Sequence, residues 1–345
     1  MAAARTTACA TIATSFRVPE FGMREFEPLT WASATLFPAK RGFPRAYHVL
    51  ANGHVAMPWK YTGLYTAEQA AWLRHVEARH CRYELRVVDE AGGVVARAAL
   101  GPVFPRPHGH RDLAALYLED EAGVVGAVGL RAQGIDFVAP DLATQPLLDT
   151  DVLEITGHSV GPEDEADDLQ SAALESSSSS SSSPRGVAED AAALSDSPMR
   201  RLVPMLVEAR LRLKTPHQTF LSCASTLPQG FCGAPALYPV RGDPLCAGLV
   251  DGIVAPAEAM AGGGPSPTSG GVSSVGGDAP ISSNDELRRR VAGCASIIPA
   301  DEIRAFLDDL EGDEQLRADL LRVGRASSGG DGASTATGRP GLSAA

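Results

Sequence analysis

The chain has 345 residues, of which 44% are hydrophobic, so it can form one large or two small domains with a buried core. Its 42 acidic and 30 basic residues give a net charge of −12, which argues against nucleic acid or an anionic membrane as the main partner. No apolar run reaches the roughly 18–20 residues that cross a bilayer, so we expect no membrane span.

The N-terminal segment differs in composition from the rest of the chain. Its first 19 residues contain no acid and are rich in Ala, Thr and Ser, with Arg5 and Arg17 as the charged residues. This composition is typical of an organelle transit peptide, and a disordered N-terminus of a cytoplasmic protein is the alternative. We therefore predict that residues 1–24 are a transit peptide or disordered, and that the protein is mitochondrial or in another organelle.

Short apolar runs punctuated by Gly, Pro and Asp dominate the chain from residue 25 onward. They predict strands at 32–37, 83–88, 94–100, 113–118, 152–156 and 248–253. Thr66 and Gln69 have the spacing of a capping box and predict a helix over 66–79. Apolar residues at positions 303, 306, 307 and 310 predict a second helix over 301–310. Many short strands with few helices predict an all-β sandwich or barrel fold.

Two stretches have the composition of flexible surface insertions. Residues 162–199 are acidic and include eight consecutive serines, and residues 261–284 are rich in Gly, Ser and Pro. Six cysteines are dispersed without any Cys-x-x-Cys pair, so we expect a reducing compartment, no disulfide scaffold and no metal site. They are Cys9, Cys81, Cys223, Cys232, Cys246 and Cys294.

Candidates for the groups of an acyl-transfer site occur in the order His, Asp, Cys. Residues 49–55 read Val-Leu-Ala-Asn-Gly-His-Val and offer His54 as a base. Residues 112–116 read Asp-Leu-Ala-Ala-Leu and offer Asp112 as the acid that orients the base. Residues 230–235 read Gly-Phe-Cys-Gly-Ala-Pro and offer Cys232 as a nucleophile in a tight turn. An Asn52-Gly53 hairpin would instead make His54 an ordinary strand residue. His48, six residues earlier, is a second histidine on this segment.

These motifs resemble those of trypsin-like peptidases, and of HtrA-type protease domains in particular, with cysteine in place of the nucleophilic serine. The resemblance implies a chymotrypsin-like double β-barrel with a C-terminal helix over residues 25–312, followed by a helical extension and a disordered tail over 313–345. It implies a catalytic triad of His54, Asp112 and Cys232, no cofactor, and a peptide or protein substrate. It also implies an oxyanion hole formed by the N–H groups of Gly230 and Cys232.

The resemblance places two further residues near the bound substrate. Gly248 belongs to the strand that follows the nucleophile and would pair with the substrate. Thr226 lies six residues before Cys232, where enzymes that cut after Lys or Arg carry an acid. We therefore expect no strong preference for basic residues.

Two other functions are consistent with the sequence. Replacement of serine by a larger thiol can accompany loss of activity, which would leave a protease-fold scaffold or binding protein. Alternatively, His108-Gly109-His110-Arg111-Asp112 and the downstream His158 resemble the ligands of metallo-β-lactamase-type zinc hydrolases. Leu113 stands where that family has another histidine, and no strand is predicted directly before the motif.

Overall fold

A computed structural model of the chain describes residues 5–7, 9–89, 92–120, 135–137, 139–160, 202–216, 218–239, 244–254 and 283–328. The strands are β1 (Arg5–Thr7), β2 (Ala10–Phe16), β3 (Glu27–Pro38), β4 (Tyr47–Ala51), β5 (Cys81–Val88), β6 (Val94–Pro107), β7 (Ala114–Leu118), β8 (Ile135–Phe137), β9 (Asp141–Leu142), β10 (Val152–Val160), β11 (Leu202–Lys214), β12 (Thr219–Cys223), β13 (Pro235–Tyr238), β14 (Leu245–Ile253) and β15 (Ala295–Pro299). The α-helices are α1 (Gly53–Ala56), α2 (Ala67–Leu73), α3 (Ser283–Val291) and α4 (Ala300–Ser328).

The N-terminal half of the chain forms a closed antiparallel barrel of six strands. Its order is β2-β3-β4-β7-β6-β5, and every neighbouring pair is antiparallel. Alternating side chains point inward, as the two-residue period of a strand requires. Ile12, Leu36, Val49 and Leu85 are among the fully buried residues of its core.

The C-terminal half forms a second closed barrel of six strands. The order is β13-β10-β11-β12-β15-β14, and pairing of β13 with β14 closes it. Its core includes Leu153, Ile155, Val207 and Val250. Strand β9 adds to β14 in parallel, and β1 and β8 form a separate two-stranded sheet. The all-β double barrel with a C-terminal helix, expected from the sequence, is therefore confirmed.

Helix α4 packs across both barrels. Its predicted apolar stripe, made of Ile303, Phe306, Leu307 and Leu310, is buried against Leu50 and other residues of the first barrel and against residues of the second barrel. Burial of a large apolar side chain contributes about 2 kcal/mol, so this stripe holds the two halves together. The helix extends well beyond the predicted end at residue 310.

The beginning of the fold differs from the expectation for residues 1–24. Strand β2 pairs with β3 on one side and β5 on the other, so this segment supplies an integral strand of the first barrel. The expected boundary at residues 24–25 therefore does not coincide with an edge of the fold. Removal of a transit peptide stays a prediction. The insertion at 162–199 lies outside the described residues, as does the one at 261–284 except for its last two residues, which begin α3.

Two local predictions around the first barrel also need correction. Helix α2 has the expected capping box between Thr66 and Gln69, but it ends at Leu73 rather than at residue 79. Asn52 and Gly53 do not form a hairpin, because Asn52 is the N-cap of α1 and accepts hydrogen bonds from two backbone N–H groups of that turn. Among the described helices, none has the length and apolar character needed to cross a membrane.

Candidate active site

The turn after β4 brings His54 against Asp112. Nδ1 of His54 donates a hydrogen bond to Asp112 Oδ2, and its backbone N–H donates to Oδ1 over 2.7 Å. Gly53 permits this approach, since a Cβ at that position would lie 2.3 Å from the Tyr61 hydroxyl and 2.9 Å from Asp112 Oδ1. The first barrel alone therefore supplies the His–Asp pair.

Asp112 is held as a carboxylate despite its partial burial. Burial alone raises its pKa, but the bonds from the His54 ring and backbone, the charge of His54 and an interaction with the Asn52 side chain lower it below the ordinary value. Burial and the neighbouring charge of Asp112 raise the pKa of Tyr61 to about 12. Asp112 therefore acts as a hydrogen-bond acceptor that fixes the His54 ring.

The second barrel carries Cys232 in a tight loop between β12 and β13. Gly230 and Gly233 have φ angles of +97° and +84°, a left-handed conformation that favours glycine. A Cβ at Gly230 would also lie 2.3 Å from the Trp31 ring and 2.5 Å from the carbonyl oxygen of His158. The glycines of this motif are therefore required both by backbone conformation and by close packing.

Strand β3 of the first barrel anchors this loop from the other half of the molecule. The backbone N–H and the hydroxyl of Ser33 donate to the Gly230 carbonyl over 2.8 and 2.7 Å. The Thr35 hydroxyl donates to the Gly233 carbonyl over 2.9 Å. Because the same loop holds Cys232, these bonds fix the position of the thiol relative to the first barrel.

His54 lies between Asp112 of the first barrel and Cys232 of the second. Cys232 is partly buried against the first-barrel core, and its side chain lies close enough to His54 to affect the ionisation of the imidazole. Burial alone would lower the pKa of His54, but the bond to Asp112, the interaction with Cys232 and the charges of both groups raise it to about 10. The arrangement therefore favours an imidazolium between a carboxylate and a sulfur.

The backbone N–H groups of Gly230 and Cys232 have no acceptor among the residues that the structure describes. The N–H groups that directly follow Cys232 are paired, since Gly233 donates to the Val250 carbonyl and Ala234 to the Phe231 carbonyl. Unpaired backbone N–H groups at a nucleophile and shortly before it are what an oxyanion hole requires.

The two residues expected near the substrate lie in different environments. Thr226 is exposed in the loop that leads to Cys232. Gly248 is buried in β14 between Ala236 of β13 and Pro299 of β15, where a Cβ would lie 2.5 Å from the Ile298 carbonyl oxygen. Packing within the barrel therefore accounts for Gly248, and its contact with substrate stays a prediction.

The histidines of the zinc-hydrolase alternative do not share a site. His108 Nδ1 accepts hydrogen bonds from the backbone N–H groups of His110 and Arg111, which leaves it turned toward its own loop. His158 is buried at the barrel interface, with Nδ1 3.8 Å from Cys9 Sγ. The described part of the chain contains no group of three or more His, Cys, Asp or Glu side chains arranged to hold a metal. The geometry thus gives this alternative no support.

Sequence reasoning missed three residues around the His–Asp pair. The side chains of Asn52 and Tyr61 interact with Asp112, and Asp251 lies close enough for its charge to interact with Asp112 and His54. Only Asp251 leaves a signal in the sequence, as an acid within the otherwise apolar strand β14. Tyr61 lies in a loop without periodicity, and Asn52 reads as a turn residue.

A cavity of about 410 Å³ lies elsewhere in the structure. Its lining includes Phe37, Leu142, Arg304 and Leu307, and it contains neither His54, Asp112 nor Cys232. The Arg304 guanidinium donates hydrogen bonds to the carbonyl oxygens of Leu142 and Ala143. The candidate site is therefore identified by the grouping of His54, Asp112 and Cys232 and not by the position of this cavity.

Neither a scan against protein-family models nor a search of curated proteins finds a match to this chain. The double barrel is consistent with a chymotrypsin-like fold.

Proposed function

We propose that the chain is a trypsin-like endopeptidase that hydrolyses peptide bonds with Cys232, His54 and Asp112. The observation that carries the proposal is the position of His54, which is hydrogen-bonded to Asp112 and lies close enough to Cys232 for the two side chains to interact. A nucleophile, a base and a group that orients the base are the minimum set for acyl transfer. The unpaired N–H groups of Gly230 and Cys232 support it as an oxyanion hole.

The reaction follows from these positions. The Cys232 thiolate attacks the carbonyl carbon of the peptide bond, and the resulting oxyanion accepts hydrogen bonds from the two N–H groups. The C–N bond then breaks as His54 gives its proton to the leaving amine, which leaves a thioester on Cys232. Water attacks the thioester while His54 takes its proton, and the acid product leaves as the thiolate is restored.

The specificity is argued from the loop before the nucleophile. Residues 224–231 contain no acid, and Thr226 stands where an acid would pair with a basic substrate residue. We therefore expect small or apolar residues before the cut, rather than Lys or Arg.

Thiol labelling of the full-length protein tests the His54–Cys232 pair. With iodoacetamide at pH 7, followed by mass spectrometry, Cys232 is expected to react about tenfold or more faster than the partly buried Cys223, since the thiolate is the reactive form. His54→Ala should remove this advantage, whereas His75→Ala, an exposed histidine, should keep it. Equal labelling of Cys232 with and without His54 would contradict the proposed pair.

Peptide hydrolysis tests the activity itself. A peptide library incubated with the wild type should show cleavage that Cys232→Ala lacks, and its sites should not favour Lys or Arg before the cut. Identical profiles for the two proteins would instead identify an inactive scaffold.

A further inference from the structure

Asp251 is placed by an irregularity in β14. Val250 pairs with Ile297 of β15, whereas Gly252 pairs with the preceding residue, Ser296. Asp251 is thus the extra residue of a β-bulge, and bulges next to active sites redirect side chains. Its neighbour Val250 is bonded to the nucleophile loop in both directions, to Gly233 and to Ala234.

Asn52 ties Asp251 to the His–Asp pair across the two barrels. Its Nδ2 donates to the main-chain oxygen of Asp251 over 3.0 Å, and its side chain also interacts with the Asp112 carboxylate and helps to lower the pKa of Asp112. Asn52 itself is buried and is the N-cap of the turn that carries His54. One amide therefore fixes the distance between the bulge and the site.

The charged and polar groups that face Asp251 come from several elements. Burial raises its pKa, and the charge of Asp112 raises it further, whereas Arg111, His54 and a bond from Ser296 lower it; the result is a pKa of about 6. Arg111 is shared, because its guanidinium is paired with Glu302 of α4. In addition, the charge of Asp251 raises the pKa of Tyr61.

We propose that Asp251 is a positioning residue for His54: through the bulge and Asn52, its carboxylate stands beside the Asp112–His54 pair and favours the imidazolium form. The coupling is reciprocal, because a positive His54 that favours ionised Asp251 must itself be favoured by it. The second acid thus stabilises the state in which His54 supports a thiolate at Cys232. Its consequence for catalysis rests on the proposed peptidase function.

The test uses the full chain with Cys232→Ala, so that neither catalysis nor the thiol contributes to the readout. The titration of the His54 imidazole, followed by ¹⁵N NMR, should show a midpoint lowered by about one pH unit when Asp251→Asn is added. The curve should also lose a small inflection near pH 6, where Asp251 itself titrates. The matched control is Asp149→Asn, which removes an exposed carboxylate before β10 and should change neither feature.

Ser296→Ala provides a second test that leaves Asp251 in place. Because the Ser296 bond lowers the pKa of Asp251, its loss should move the inflection to higher pH. A His54 midpoint that is equal in the Asp251→Asn and Asp149→Asn proteins, or an inflection that persists without Asp251, would overturn the inference. Failure of Cys232 labelling or of peptide cleavage would overturn the peptidase function instead, so the two failures are distinguishable.

Discussion

The loop that carries Cys232 requires a residue without a side chain at position 230. Gly230→Ala is expected to lower the free energy of unfolding by about 2 kcal/mol or more, because the added Cβ meets Trp31 and the His158 carbonyl at a φ of +97°. It should also slow labelling of Cys232, since the displaced loop carries the thiol. Urea denaturation and iodoacetamide labelling measure the two effects.

Gly252→Ala is the matched control, because a Cβ there has open space within 4 Å and Gly252 is on the strand next to the loop. We expect its stability to stay within about 1 kcal/mol of the wild type. Equal effects of the two substitutions on Cys232 labelling would show that the conformation of Gly230 is not what positions the thiol.

At the scale of single residues, the sequence identifies those site residues that lie in a recognisable short motif. His54, Asp112 and Cys232 each stand in a short motif, and the structure brings the three together. Asp251 and Tyr61 could not be predicted to join them, because Asp251 reaches the site through a register shift and Tyr61 through an irregular loop. Their contacts arise from tertiary packing rather than from spacing along the chain.

At the scale of elements, α4 is attached to the first barrel by a buried hydrogen bond as well as by its apolar stripe. His48 of β4 is fully buried, and its Nε2 lies 2.8 Å from Glu311 Oε1. The same oxygen accepts from the Lys40 backbone N–H over 3.0 Å. His48, the alternative histidine of the sequence, thus joins β4 to α4 rather than taking part in the candidate site.

Glu311→Ala is expected to cost about 2 kcal/mol of unfolding free energy, because it leaves the buried Nε2 of His48 without its hydrogen-bond partner. Asp308→Ala is a matched control, since Asp308 also pairs with Lys40 but both side chains are at least half exposed. Its loss should cost less than about 1 kcal/mol. Chemical denaturation of both variants measures the difference, and similar losses would show that the His48 contact does not contribute.

The element boundaries differ from the predictions for physical reasons. The apolar stripe of α4 ends at Leu310, but Asp313 and Glu314 still contact Arg106 and Tyr117 of the first barrel. Beyond them the helix continues through Leu316, a good helix former whose side chain is exposed. Helix α2 ends early because the chain must turn into β5 at Cys81, and Val76 is buried outside the helix. Periodicity therefore predicts where an element packs better than where it stops.

At the scale of the whole molecule, two residues of the second barrel contribute opposing proton linkage between about pH 4 and 6. Burial lowers the pKa of His158 from 6.5 to about 4, so the folded state binds fewer protons and stability is lost as pH falls through this window. Burial and Asp112 raise the pKa of Asp251 from 3.8 to about 6, so the folded state binds more protons and stability is lost as pH rises. In the wild type these two contributions to the pH dependence of stability therefore have opposite signs.

Substitution of Asp251 and substitution of His158 should therefore change the slope of unfolding free energy against pH in opposite directions. Relative to the wild type, Asp251→Asn should make unfolding free energy rise with pH, and His158→Asn should make it fall, each by up to about 1.4 kcal/mol per pH unit. The other two titrating residues of the site act outside this window, because the pKa of Asp112 lies below 3.8 and that of His54 is about 10. Urea denaturation at half-unit pH steps gives the two difference curves. Slopes of the same sign for the two variants would contradict the predicted opposite linkage of Asp251 and His158. A variant that is less stable at every pH does not affect this test, because a loss that is independent of pH changes the height of the curve and not its slope.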